Sequence, residues 1–195
     1  MSNTGSRPGL RLEVKPLKEV DLLDYEQIPI QYSSFTKIVV DADHRLRILP
    51  LPEKFLKDYD QDENARPTSW SRQFDIQNWG CIRARVKDRI IGGAVLAYRT
   101  PGLNMLEGRQ DMAILWDIRV AEAERGQGVG TALFLAAEQW AREKNCKTLK
   151  IETQDVNPSA CFFYQGRGCE LHGLNRGVYK NYPEELQLLW YKELS

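Results

Sequence analysis

At 195 residues the chain is long enough for one domain with a sizeable core and short for two, and its 27 acidic residues balance its 27 basic ones, so no overall field recruits nucleic acid or an anionic membrane surface. No apolar run approaches the roughly 20 residues needed to cross a bilayer, and Met1 to Leu10 lacks the hydrophobic segment of a secretory signal, so a cytoplasmic protein is expected. Cys81, Cys146, Cys161 and Cys169 form no CxxC pair and read as reduced packing residues, while His44 and His172 stand far apart; neither a metal site nor a Ser/His/Asp arrangement is expected.

Met1 to Gly9 reads as a loose polar tail, Leu10 to Val14 as a first edge strand and Leu17 to Tyr25 as a short helical stretch. Phe35 to Val40 and Arg45 to Leu51 are β-prone runs separated by Asp41-Ala42-Asp43-His44, a hairpin turning on aspartates. Phe55 to Asn64 gathers Asp58, Asp60, Asp62 and Glu63, which reads either as a solvated charged loop or as an acidic rim that attracts a polyamine-like substrate. Trp79 to Val86 and Ile90 to Tyr98 form a second hairpin through Lys87-Asp88-Arg89, and the Gly92-Gly93 pair suggests a bulge in its second strand. Pro101 to Asp111 is then a loop that qualifies as a substrate wall.

Ala113 to Val120 has the length and β-branched content of a buried strand, with Asp117 and Arg119 as its charges. After the polar turn Ala121 to Arg125, the apolar positions Ala132, Leu133, Ala136, Ala137 and Trp140 recur from Val129 with the spacing of one helical face, so a helix is expected to begin within Arg125-Gly126-Gln127-Gly128-Val129-Gly130. Glycine costs roughly 1 kcal/mol relative to alanine inside a helix, so three in the first turn need a reason. One reason is a ligand: without a Cβ the turn lets phosphate oxygens approach unpaired N–H groups at the positive end of the helix dipole, with Arg125 adding a charge. The other is a turn packed closely on a neighbouring strand. No Gly-Lys-Ser/Thr follows, as a Walker loop requires, and the glycine spacing is not that of a dinucleotide fingerprint.

Thr148 to Thr153 reads as a buried strand, Pro158 suits the first position of a helix carrying Cys161, Phe162, Phe163 and Tyr164, and Gly166 to Gly168 ends it. Cys169 to Leu174 and Leu186 to Glu193 are two closing strands around a loop containing Asn181, Tyr182 and Pro183. This order implies an α+β domain with one mixed, twisted sheet flanked by helices.

Arg125-x-x-Gly128-x-Gly130 after an apolar strand resembles the acyl-CoA-binding motif of the GNAT superfamily of N-acyltransferases. The likeness continues through Ile151-Glu152-Thr153-Gln154-Asp155-Val156-Asn157, Ala160-Cys161-Phe162-Phe163-Tyr164 and Gly168-Cys169, from about residue 80 to the end. ETQDVN, ELHGLNRGVYKN and Leu188-Leu189-Trp190-Tyr191 resemble more narrowly the streptothricin acetyltransferases, which inactivate a cationic antibiotic. The resemblance implies a single GNAT-like domain over 1–195, with a variable substrate-side part over 10–78, an acyl-CoA-binding core over 79–195 and a sheet splayed at its central strand.

It further implies acetyl-CoA as cosubstrate, held by Ile118, Arg119, Val120, Arg125, Gly126, Gln127, Gly128, Val129, Gly130, Thr131, Asn157 and Tyr164. Main-chain groups of Ile118 and Val120 would bind the carbonyl and pantetheine. Asn157 would hold the pantetheine arm, and its place before Pro158 equally suits a helix N-cap. Tyr164, a phenol with a reference pKa of about 10, would protonate the departing thiolate, against the alternative of a core aromatic. Asp117 and Glu152 are both candidates for the base; pairing with Arg119 or Lys150 would explain each structurally, and an amine can lose its proton through water. Cys169 stands where an aromatic is usual, and Arg119 stands where streptothricin enzymes carry glutamate or an apolar residue, which takes negative charge from near the amine. The expected reaction is acetylation of a primary amine of a small molecule, with a streptothricin-like compound favoured, by direct attack on the thioester. A peptide or protein amine, or an acyl-CoA-binding sensor without turnover, is the alternative, and a homodimer is left open as the assembly.

Overall fold

In the computed structural model residues 7–43 and 45–195 are described. The tail reading for residues 1–6 and the place of His44 in the hairpin turn lie outside the described residues. Among the described residues the chain forms a seven-stranded mixed sheet flanked by helices and a separate two-stranded ribbon, in an α+β arrangement. Contacts divide it into two compact units, and residues 10–78 contribute to both.

The first unit comprises 7–30, Tyr59–Leu149 and Leu194–Ser195. It holds β1 (Leu10–Pro16), α1 (Glu19–Glu26), α2 (Pro67–Gln73), β4 (Gly80–Val86), β5 (Arg89–Tyr98), β6 (Met112–Val120) and α3 (Val129–Glu143). Its strands run in the order β1-β4-β5-β6, each antiparallel to its neighbour. Two residues are squeezed out of register. Ala84 faces Gly92 while Arg85 faces Ile90, which leaves Ile91 as a bulge beside the glycine pair. Val95 faces Asp117 while Leu96 faces Leu115, which leaves Trp116 as a second bulge that alternation alone does not reveal.

Gly93 has a further reason to be glycine: a Cβ there would stand 2.6 Å from Tyr25 Cε2 and 2.9 Å from the Ile82 carbonyl oxygen. On α3, Leu133, Ala137 and Trp140 of the expected face are buried, as are Phe134 and Ala141. The helix α2, not anticipated from sequence, starts with Pro67 at its first turn and buries Trp70. The Trp70 ring lies 6.1 Å from Tyr25, 6.3 Å from Trp79 and 6.3 Å from Trp116.

The second unit comprises Gln31–Asp58 and Lys150–Glu193. It holds β2 (Gln31–Val40), β3 (Leu46–Asp58), the body of β7 (Thr148–Gln154), α4 (Pro158–Gly166), β8 (Glu170–Arg176) and β9 (Leu186–Glu193). The order β7-β9-β8 belongs to the main sheet, whereas β2 and β3 pair only with each other, so the expected hairpin stands outside the single sheet in which it was placed. It is tied to its unit by the Ile38 N–H, which donates to the Asp155 carbonyl at 2.7 Å. The acidic stretch is also not one loop: Phe55–Asp58 ends β3 opposite Gln31–Ser34, and only from Tyr59 does the chain turn through a single 3-10 segment, Tyr59–Gln61.

All four cysteines are buried and form no disulfide among the described residues, and burial pushes the Cys81, Cys146 and Cys161 thiols up to about 11, as expected of packing residues. No helix among the described residues is long and apolar enough to cross a membrane.

Candidate active site

At the end of β6 the chain makes one 3-10 turn, Glu122–Glu124, extends at Arg125 and enters the glycine run. The helix begins at Val129, within the expected run, because Gly126 and Gly128 take left-handed backbone angles (φ of 73° and 79°) and Gly128 caps α3. An L-residue in that region is disfavoured by roughly 1–2 kcal/mol, which explains the glycines better than helix propensity does. A Cβ at Gly126 would meet nothing within 4 Å, so close packing on a strand is not what requires glycine there.

The first helical bond, Ala132 N–H to Gly128 O at 3.0 Å, leaves the amides of Val129, Gly130 and Thr131 ahead of it at the helix terminus. Arg125 is exposed beside them, its Nε donating to Val120 O at 3.0 Å, and Gln127 Nε2 braces the turn on Ala123 O at 2.9 Å. Successive amides around left-handed glycines, open space and the positive end of a 15-residue helix fit a pyrophosphate.

Asp117 lies on β6 just past the Trp116 bulge, and both its oxygens are occupied. Arg119 donates to it from Nε (3.0 Å) and Nη2 (2.8 Å), and the buried phenol of Tyr25 donates at 2.6 Å. Arg119 also reaches Ile28 O at 2.9 Å and Asp60 Oδ1 at 3.3 Å, so its positive charge is offset by two carboxylates rather than left bare towards an amine. Burial opposes the Arg119 charge, yet Asp117 holds its pKa above the ordinary value; burial and then the Asp117 charge push Tyr25 well above a normal phenol. Asp60 thus differs from its reading as solvated loop or substrate-facing rim: it accepts both from Arg119 and from the Ile30 N–H. Ile118 and Val120 lie opposite Ala94 and Gly92 in the ladder.

In the second unit, Glu152 on β7 accepts two neutral hydrogen bonds, from Tyr179 Oη on Oε1 and from Gln187 Nε2 on Oε2, each 2.7 Å. Sequence reading singled out neither partner, since no spacing marks a tyrosine in an irregular loop. Lys150, the expected counter-ion of Glu152, has its ammonium 5.2 Å above the Tyr191 ring. Asn157 caps α4, its side chain accepting from Ala160 N–H at 3.1 Å. Tyr164 is buried on the same helix with its ring edge-on to Phe163, 5.3 Å between centroids.

The model of the acetyltransferase (GNAT) family matches residues 38–169. Streptothricin acetyltransferase A of Bacillus subtilis (strain 168) is 41% identical over 81 residues, which span 40% of this chain and 47% of that protein. Streptothricin acetyltransferase of Escherichia coli is 24% identical over 188 residues, 93% of this chain and 95% of the relative. A crystal structure of nourseothricin acetyltransferase shares the fold, with a TM-score of 0.72 at 23% identity over 96% of this chain and 99% of the other. A putative streptothricin acetyltransferase from Bacillus anthracis str. Ames, in complex with acetyl coenzyme A, gives 0.74 at 26% identity over 95% and 99%. With a match over most of its length and a loop fitted to a pyrophosphate, the chain belongs to the acetyltransferase (GNAT) family and is an acetyl-CoA-dependent N-acetyltransferase.

Proposed function

We propose that the protein acetylates a primary amine of a small, cationic molecule, with a streptothricin-like antibiotic as the favoured acceptor, in the cytoplasm. The observation that carries this reading is the pair of left-handed glycines heading α3, taken with the acetyl coenzyme A complex of the Bacillus anthracis neighbour. The antibiotic enters through the names of the Bacillus subtilis and Escherichia coli relatives.

In this reading the amides from Gly128 to Thr131 and the Arg125 side chain bind the pyrophosphate, with Gly126 and Gln127 shaping the turn. Main-chain groups of Ile118, Arg119 and Val120 bind the carbonyl and pantetheine, and Asn157 serves the pantetheine arm while capping α4. When bound, acetyl-CoA supplies an acyl group activated as a thioester. Tyr164 then hands its phenolic proton to the leaving sulfur, which keeps that step feasible at neutral pH. Glu152 takes the proton of the amine. It is preferred over Asp117 because its hydrogen-bond partners are neutral, whereas both oxygens of Asp117 are already engaged by the Arg119 guanidinium and one of them also by the Tyr25 phenol.

The test is an acceptor screen in which free thiol released from acetyl-CoA and acetylated product by mass are followed together. Amine-stimulated release with a streptothricin supports the reading. Release only with peptide amines moves the acceptor class, and acetyl-CoA binding with no turnover across the panel overturns the catalytic reading in favour of a sensor.

A further inference from the structure

The loop between β8 and β9 is exposed from Gly177 to Tyr182 except for Tyr179, which is half-buried, and it contains no regular element before β9. Something must hold Tyr179 against Glu152. The ammonium of Lys57, the penultimate residue of β3, lies 5.7 Å above the Tyr179 ring and 4.2 Å above the Tyr182 ring, and it is ion-paired with Glu185 at the loop's end. Both partners of that pair are buried, and Glu185 Oε1 has no hydrogen-bond partner among the described residues. A buried ion pair with an unsatisfied oxygen is a poor source of stability compared with apolar residues of like volume, so its use here is better explained by the position it imposes.

We propose that Tyr179, clamped by the Lys57–Glu185 pair and joined by Gln187, is a positioning residue that keeps the Glu152 carboxylate oriented to receive the acceptor's proton. This inference rests on the reading of Glu152 as the base. The direction of each hydrogen bond follows from its partners. Gln154 Nε2 donates to Tyr179 Oη at 3.2 Å, so the phenolic proton is committed to Glu152. Asn175 Nδ2 donates to Gln187 Oε1 at 2.9 Å, which turns the Gln187 amide nitrogen towards the other carboxylate oxygen. One neutral donor is thereby fixed on each oxygen of Glu152, which sets the plane of the carboxylate. Of the charged groups near these partners, Lys57 on β3 and Glu185 beside β9 hold the loop and Lys150 lies two residues before Glu152 on β7; the same elements also carry Arg47, Glu53, Lys54 and Asp58 on β3, Glu170, His172 and Arg176 on β8, Lys180 and Glu184 in the loop, and Lys192 and Glu193 on β9.

The experiment compares pH profiles of kcat/KM for the acceptor in wild type, Tyr179→Phe, Gln187→Met and Glu152→Gln, at saturating acetyl-CoA with chemistry limiting. Removing one donor weakens the ionised form, so in Tyr179→Phe the acid limb is expected to move up by about one pH unit, with a plateau within about tenfold of wild type and an unchanged KM for acetyl-CoA. Gln187→Met is expected to move the limb in the same direction and serves if Tyr179→Phe does not fold. An unmoved limb in a folded Tyr179→Phe, whether or not the plateau falls, reduces Tyr179 to a loop staple and overturns the inference. If Glu152→Gln itself keeps wild-type turnover and the acid limb, the assignment of the base fails first, which separates the two failures.

Discussion

Tyr164 is buried on α4 with its ring packed on Phe163, so Tyr164→Phe removes a proton donor with little change in packing. The expected result is a fall in turnover on the order of 10²- to 10⁴-fold with near-normal acetyl-CoA affinity. Near-wild-type turnover where chemistry limits would pass protonation to water. At the other anchor, Gly128→Asp asks an L-residue to adopt φ near 79° and places negative charge where pyrophosphate is expected. Calorimetry should show acetyl-CoA binding lost in the folded variant and weakened less by Arg125→Ala; unchanged affinity in Gly128→Asp sinks the cradle. Tyr164 is reached only through the family resemblance, whereas Gly128 can be read from sequence because the backbone geometry of a helix start is a local property. Tyr179 and Gln187 cannot, since they lie 27 and 35 residues from the carboxylate they hold.

Among the elements, β5 is tightly constrained by what crosses it at Gly93. In Gly93→Ala the new methyl meets the Tyr25 ring, which is fully buried and tied by its hydroxyl to Asp117, and the Ile82 backbone, so neither neighbour can give way easily. Thermal unfolding should show a loss of about 1–3 kcal/mol, as overpacking typically costs. A Tm equal to wild type would mean that α1 can retreat from the sheet. The seven-residue helix α2 shows the opposite limit of sequence reading: PTSWSRQ has little helical periodicity, and its place follows from burying Trp70 among Tyr25, Trp79 and Trp116. The Trp116 bulge escapes for a related reason, because pairing register is a property of two strands and not of one.

For the molecule as a whole, acid stability is set by carboxylates that are paired only when folded. Asp21 is buried, which by itself would raise its pKa, but Lys15 at 2.7 Å, the Lys18 N–H at 3.0 Å and Arg83 at 3.0 Å hold it below the ordinary value. A folded pKa below the unfolded one contributes stability that is present above the unfolded value, about 3.9, and is lost as pH falls through the folded one. Asp41 and Asp111 are lowered in the same sense by arginine and backbone partners, and Glu124 by Arg7. Glu185 runs the other way: burial raises it against the pull of Lys57, so its contribution falls as pH rises through its raised pKa. The Tm should therefore drop steeply below about pH 4. Asp21→Asn should lower the neutral Tm and flatten that drop, and an unchanged acid slope would remove Asp21 from the linkage.

The sequence alone determined the succession of strands and helices apart from α2, the glycine run after β6, the Asn157 cap and the apolar setting of the four cysteines. Each of these is written in short-range periodicity or in backbone angles that one or two residue types can take. The tertiary structure alone decided which charges meet. Arg119 could have faced an amine, yet it is spent on Asp117 and on Asp60, 59 residues away; Glu152 is held by a distant phenol and amide; and Lys57 finds Glu185 across 128 residues. Side chains of like charge and reach are interchangeable along an extended chain. Only the packed elements, by burying some of them and leaving others wet, select the pairs that have to form.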